Sequence, residues 1–419
     1  MVPGVSLGQQ DAYDGRTLDQ DIWALWLEAS ITIQQHCHND LVLVGQPCPG
    51  RVRDALPEPE RLRARETIKR WSSYQPTELH SLEDWAEELG LAALYYKDES
   101  SRFELSSFKA LGGAYAVQLI VRDVISQALD REVTLEEVDG VCDPDLAREI
   151  TVVTATDGNH GRSVAWGARR FGCQCVIYMH ERVSPGRQEA VEALGARVCR
   201  VQGNFDDSVR QADADARTHG WLMVSDTSWP GYVDIPRNVM AGYTVMTSEA
   251  MDQWPLSAPP THVFIQGGCG GLAGAVCADL WYRYGADKPH VVVVEPEPAA
   301  CLYESACASE PRAVNITTES LMAGLSCGEV SLIAWPVLQA AADDFLTITD
   351  DPVGPLMGRL AREASITAGE SAVAGLAGLM EAHRDEVLWK TLGLSGSSRV
   401  LVFGTEGATD PTVYRQLVR

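Results

Sequence analysis

A parallel α/β fold is what this sequence predicts, and three observations carry the prediction. From Thr77 onward, short apolar runs bounded by turn residues recur along the chain. Between them lie segments whose apolar residues return at three-to-four spacing, and strands alternating with helices of that length favour a parallel sheet. A chain of 419 residues, 45% hydrophobic and 22% charged, holds two or three domains' worth of core.

In chain order, residues 1–30 mix Gly, Gln and Asp with the apolar stretch DIWALWLEA and predict an extension carrying one docked helix, with no function assigned. The strand candidates are LAALYYKDE, TVVTATDG, QCVIYMHE, RVCRVQG, WLMVSDTS, THVFIQGG, HVVVVEPE, FLTITDD and RVLVFGTEG. The helical segments are FKALGGAYAVQLIVRDVISQAL, GRSVAWGARRFG, PGRQEAVEALGA, DDSVRQADADARTHG and GLAGAVCADLWYRYG. Glu132 to Glu149 is an acidic excursion that predicts a surface helix and loop. In parallel α/β folds ligands gather at the carboxyl ends of strands, and TATDGNHG, VSDTSW, QGGCGGLAG and FGTEGATD all follow strand candidates. These segments are expected to converge on one crevice.

Composition removes several classes of partner. With 34 Lys and Arg against 58 Asp and Glu, a net charge of -24 and no basic block, the chain is unsuited to nucleic acid or an anionic membrane. No apolar run approaches the roughly 18 residues of a membrane span, and the N-terminus lacks the basic and apolar regions of an export signal. The expectation is a cytoplasmic protein. Its 11 cysteines are scattered without CxxC pairs, which predicts reduced thiols and no metal site. Cys301 and Cys327 are a pair close enough in sequence to the Gly-rich region to meet, and a reducing compartment argues against their oxidation.

Two segments carry the chemistry. QGGCGGLAGA, Gln266 to Ala275, places glycines between a strand and a helix, so that successive backbone N–H groups can turn toward an anion. It lacks the Gly-Lys-Ser/Thr ending of a nucleotide P-loop and the acidic partner of a dinucleotide site, so a single phosphate monoester is the better-fitting ligand, with a tight strand-helix packing turn as the alternative. In SSFKALGGAY, the apolar neighbours Phe108 and Leu111 predict a depressed pKa for Lys109 and an amine nucleophilic toward an aldehyde. An amine for the aldehyde and a cradle for one phosphate are the minimum equipment for pyridoxal phosphate.

The segments SSFKALGGAYA, TATDGNHGRSVAWGARRFG, SDTSWPGY, the Gly-rich loop, MAGLSCGE and FGTEGATD stand in an order and spacing that resembles the diaminopropionate ammonia-lyases. These are fold-type II pyridoxal phosphate enzymes of the tryptophan synthase beta superfamily, and the resemblance spans roughly Leu79 to Val418. It implies two parallel-sheet α/β domains with the cofactor in the cleft between them: residues 31–115 plus 248–419 as the large domain and 116–247 as the small one. Lys109 matches the Schiff-base lysine, with Phe108 beside it. Asn159 matches the asparagine at the cofactor's phenolic oxygen, Gly268, Cys269, Gly270, Gly271 and Leu272 match the phosphate cradle, and Thr405 matches the hydroxyl facing the pyridine nitrogen.

Asp157 and Asp226 match the two catalytic aspartates, where dehydratases of serine and threonine usually carry a small hydroxyl residue at the Asp157 position. Paired carboxylates suit a substrate with a second ammonium group. The resemblance further implies α,β-elimination of 2,3-diaminopropionate, acceptance of both enantiomers with Asp226 as base for the L form and Asp157 for the D form, and a homodimer. His160 reads as a packing histidine. Departures from the family pattern fall at Ser106, Ser107, Ala372, Ala408 and Ser184 to Arg187, on the substrate side of the site. They leave open a serine or threonine dehydratase-like deaminase, or a biosynthetic β-elimination or β-replacement enzyme acting on another amino acid.

Overall fold

In the computed structural model the described residues are 33–156, 158–203 and 205–418. The predicted extension, residues 1–30, and Asp157 lie outside them. Two sheets organise the rest. The strands are β1 (Ile33–His38), β2 (Glu78–Ser81), β3 (Ala93–Asp98), β4 (Thr151–Ala155), β5 (Gln174–His180), β6 (Arg197–Val201), β7 (Leu222–Met223), β8 (His262–Gln266), β9 (His290–Pro296), β10 (Asp344–Ile348) and β11 (Arg399–Gly404).

One sheet has 7 strands in the order β1-β10-β9-β8-β11-β3-β2, the other 4 in the order β6-β5-β4-β7. Within the larger sheet β10, β9, β8, β11 and β3 run parallel, while β1 and β2 close its edges antiparallel. The smaller sheet is parallel throughout. Every apolar run named above forms a strand, but the two antiparallel edges are additions to a purely parallel expectation. Both are too polar to stand out as apolar runs: β1 reads IQQHCH and β2 reads ELHS.

The central strands are apolar on both faces because helices cover both faces. Val291 to Val294 of β9 are fully buried, as are Phe264 and Ile265 of β8. The helix Lys109–Leu129 is buried along most of its length between the helices Asn159–Phe171 and Asp234–Gln253. Its small-residue run has a packing cause. A Cβ at Gly112 would stand 2.5 Å from the Tyr243 ring, and one at Gly242 would stand 2.0 Å from the Leu111 carbonyl oxygen. The two helices therefore cross backbone against backbone, and any side chain there would push them apart. The acidic excursion forms two short helices, Leu135–Asp139 with a Thr134 capping box and Pro144–Glu149 capped by the Asp143 carboxylate.

The loop that delivers the chain to Lys109 has an unusual backbone. Phe103, Glu104 and Ser106 all adopt left-handed conformations, with φ of 51°, 61° and 54°, and side-chain-bearing residues do so at a cost. A fully buried ion cluster holds the loop there. Arg102 donates to both oxygens of Glu99, each at 2.8 Å, and to both oxygens of Glu249 at 2.9 and 2.7 Å. Lys97 adds a bond to Glu249 at 2.9 Å. At its far end the loop is tied to the turn after β11: the Phe108 N–H donates to the Thr405 carbonyl at 3.1 Å, and the Gly407 N–H to the Ser106 carbonyl at 3.0 Å. Among the described residues no helix is long and apolar enough to cross a membrane.

Candidate active site

The segments at the carboxyl ends of the strands converge on one cleft. Phe108, Lys109, Asn159, Asp226, Gly268 to Leu272 and Thr405 all line it. Lys109 opens its helix, and its Nζ donates to Asp226 Oδ2 at 2.5 Å. The depressed pKa expected of Lys109 from its apolar neighbours is not what the geometry produces. Burial alone would lower it, but the Asp226 carboxylate outweighs burial and holds the ammonium well above the usual lysine range. Asp226 moves the opposite way: burial works against its charge, and its cationic neighbours hold its carboxyl below the usual range. His160 and Lys109 both act in that direction, although burial lowers the pKa of His160 itself. Lys109 and Asp226 neutralise each other at the centre of the cleft.

His160 accounts for one ring nitrogen and leaves the other. Its Nε2 lies 2.8 Å from the Val224 carbonyl, which can only accept, so the proton sits there. Nδ1 is buried without a hydrogen-bond partner and faces Asp226 Oδ2 at 3.8 Å. The expected packing histidine is thus a packed one that also presents a lone pair to the aspartate.

The glycine turn is shaped by what a side chain would hit. Gly270 has φ of +96°, and a Cβ there would meet Leu338 at 2.9 Å, so both backbone and space exclude other residues. The turn ends at the N-terminus of the helix Gly271–Tyr284, where the first N–H groups have no partner within the helix. The Cys269 thiol lies 3.7 Å from the Asp226 carbonyl oxygen, and its interaction with Cys327 lowers its pKa. All the cysteines, Cys301 included, are free thiols.

Asn159 begins the helix Asn159–Phe171, and its Nδ2 donates to Glu406 Oε2. Glu406 Oε1 accepts from the Ser371 N–H at 3.0 Å. Thr405 is buried immediately beyond β11, and its Oγ1 accepts from Gln266 Nε2 at 2.9 Å. Ser107, one of the departures from the family pattern, stands just before the helix, where its Oγ accepts from the Lys109 N–H at 3.3 Å. Ser184 caps the helix Pro185–Glu192 through the Arg187 N–H.

Several cleft residues received no assignment from the sequence: Arg162, Arg187, Gln266, Glu370 and Glu406. Each lies within or beside a segment already singled out. Arg162 Nε and Nη1 are buried without partners. Glu370 is pushed up to about 7 by burial and by the neighbouring charge of Glu406.

This cleft fits a cofactor that brings an aldehyde, one phosphate and a ring nitrogen. It holds a lysine amine, a helix N-terminus behind a turn in which Gly270 leaves no room for a side chain, and a buried hydroxyl paired with the Gln266 amide. Residues 71–397 match the family described as pyridoxal-phosphate dependent enzyme. The chain is a pyridoxal-phosphate-dependent enzyme, and the cofactor is pyridoxal phosphate.

A finer placement follows from individual relatives. The chain is 36% identical to the diaminopropionate ammonia-lyase of Escherichia coli K12 over 364 residues, which covers 85% of this chain and 90% of that one. It superposes with a TM-score of 0.82 and 33% identity on the crystal structure of the Escherichia coli enzyme in complex with an aminoacrylate-PLP azomethine reaction intermediate, covering 93% of this chain and 98% of that one. The structure of that enzyme in complex with D-serine gives a TM-score of 0.83 with the same identity and coverage. The chain belongs to the diaminopropionate ammonia-lyase family.

Proposed function

We propose that the chain eliminates ammonia from 2,3-diaminopropionate, with pyruvate and a second ammonia following on hydrolysis, and that Lys109, Asp226 and Asp157 move the protons. The observation that carries this reading is the Lys109–Asp226 ion pair in the cleft. Pyridoxal phosphate, when bound, supplies the electron sink that makes the substrate's Cα–H bond acidic. Gly268 to Leu272 would hold its phosphate, Asn159 its phenolic oxygen and Thr405 its ring nitrogen.

The protein's own part is proton placement. Once the Lys109 amine is engaged, Asp226 loses a cation that holds its pKa down, while its burial continues to disfavour the charge. A buried carboxylate in that condition is a competent base for a Cα proton. Asp157, assigned from the motif TATDGNHG, is the corresponding base for the D enantiomer and a binding partner for the β-ammonium as it leaves. Thr405 contributes a neutral hydroxyl, which keeps the cofactor a moderate sink. That is sufficient where a β-leaving group departs at once.

The same reading takes residues 116–247 as a small domain, 31–115 with 248–419 as the large one, and the enzyme as a cytoplasmic homodimer, for which sedimentation of the holoenzyme is the check. Substrate is tested by pyruvate release from L- and D-diaminopropionate, serine and threonine. Diaminopropionate should be turned over fastest, in both enantiomers. Serine turned over faster than diaminopropionate would move the chain to the dehydratase reading.

A further inference from the structure

We infer that Tyr243 is a positioning residue whose hydroxyl takes the Lys109 amine when substrate frees that amine from the cofactor, and so releases Asp226 to act as base; this rests on the reading that places the cofactor on Lys109. Asp226 cannot serve both ends at once. While it is the hydrogen-bond partner of Lys109, its charge is spent on the ammonium, and a carboxylate held that way is a poor base. The amine needs a second partner at the moment of proton transfer.

The packing beneath Lys109 supplies one. Tyr243 lies in the helix Asp234–Gln253 and is 1% exposed. Lys109 Nζ stands 5.3 Å from the centroid of the Phe108 ring and 5.7 Å from that of the Tyr243 ring, and the two rings are 4.7 Å apart. The ammonium thus rests over an aromatic pair. That pair is held in place, because the Tyr243 ring is packed against the Lys109 helix where a Cβ at Gly112 would stand 2.5 Å from it. The Tyr243 hydroxyl is buried without a hydrogen-bond partner, and an orphan polar group in a packed interior calls for a reason.

The two groups complement each other. A lysine ammonium has three N–H donors, and among the described residues Lys109 Nζ has one acceptor, Asp226 Oδ2. Tyr243 offers an acceptor that has no donor. Burial holds the phenol well above its ordinary pKa, against the pull of the Lys109 charge, so the hydroxyl keeps its proton. It can therefore accept from the ammonium or donate to the neutral amine, whichever the freed Lys109 presents. The Asp226 charge reaches the same hydroxyl, which sets all three groups at one point of the cleft.

The test is Tyr243→Phe, which removes the hydroxyl and keeps the ring. Parent and variant holoenzymes are compared by melting temperature at rest and by absorbance titration with L-alanine, an amino acid without a β leaving group that displaces Lys109 without elimination. The variant should melt at or above the parent's temperature, since the hydroxyl has no partner to lose. It should bind L-alanine about tenfold more weakly, the scale of one hydrogen bond to a charged group. Unchanged affinity for L-alanine overturns the inference. A variant that melts well below the parent also overturns it, because the hydroxyl is then bonded at rest and its role is structural. Borohydride reduction of the holoenzyme, followed by peptide mapping, separates the two readings. Cofactor fixed to Lys109 with unchanged L-alanine affinity removes the role of Tyr243 alone; cofactor fixed to another lysine removes the placement on Lys109 and this inference with it.

Discussion

Charge pairs set the chemistry of single residues in this cleft, and burial alone misjudges them. Lys109 has the apolar neighbours that would depress an isolated amine, yet Asp226 at 2.5 Å reverses the sign. Glu370 shows the opposite case, a buried acid pushed up by its burial and by the charge of another acid, Glu406. Held at about 7 against an ordinary 4.5, it keeps its proton in the folded chain where the unfolded chain has released it. The stability this contributes is complete below about pH 4.5 and is lost as pH rises through about 7. Glu370→Gln, permanently neutral, should therefore raise the melting temperature at pH 8 by about 2–4 °C and change it little at pH 5. An equal change at both values would remove the raised pKa as its cause.

Elements explain why the residues meet. The helix from Lys109 is buried between two others, and its glycine run is needed where Gly112 and Gly242 bring backbones together. The left-handed loop before Lys109 is held by Arg102 against Glu99 and Glu249. Arg102→Met would leave two buried carboxylates with only Lys97 to balance them, and should cost about 3–5 kcal/mol in urea unfolding; a loss near zero would mean the cluster does not anchor the loop. In the glycine turn, Gly270→Ala meets both a positive φ and Leu338. It should cost roughly 1–3 kcal/mol and weaken cofactor affinity in a fluorescence titration, whereas unchanged affinity would place the phosphate elsewhere. The parallel strands were legible in the sequence because burial on both faces leaves an unbroken apolar run. β1 and β2 were not, because an edge strand half open to solvent needs no such run.

At the scale of the molecule, the carboxyl ends of two sheets supply one site from segments far apart in the chain. Lys109 and the glycine turn could be picked out by residue type and setting, and Asn159, Asp226 and Thr405 through the resemblance of their motifs to a known family. Gln266, Glu370, Glu406 and Arg162 could not, although they stand inside or beside the same segments. Their roles depend on partners across the fold, such as the carbonyls of Phe403 and Ser371 that orient the Gln266 amide, and spacing along the chain does not encode them. The central claim is that Asp226, paired with Lys109 at rest, becomes the base for the L substrate, while Asp157 serves the D substrate. The most direct measurement is pyruvate release by the Asp226→Asn holoenzyme from L- and D-2,3-diaminopropionate. The account predicts a loss of about 100-fold or more on the L enantiomer, the scale of general-base catalysis, with activity on the D enantiomer largely kept; full activity on the L enantiomer would contradict it.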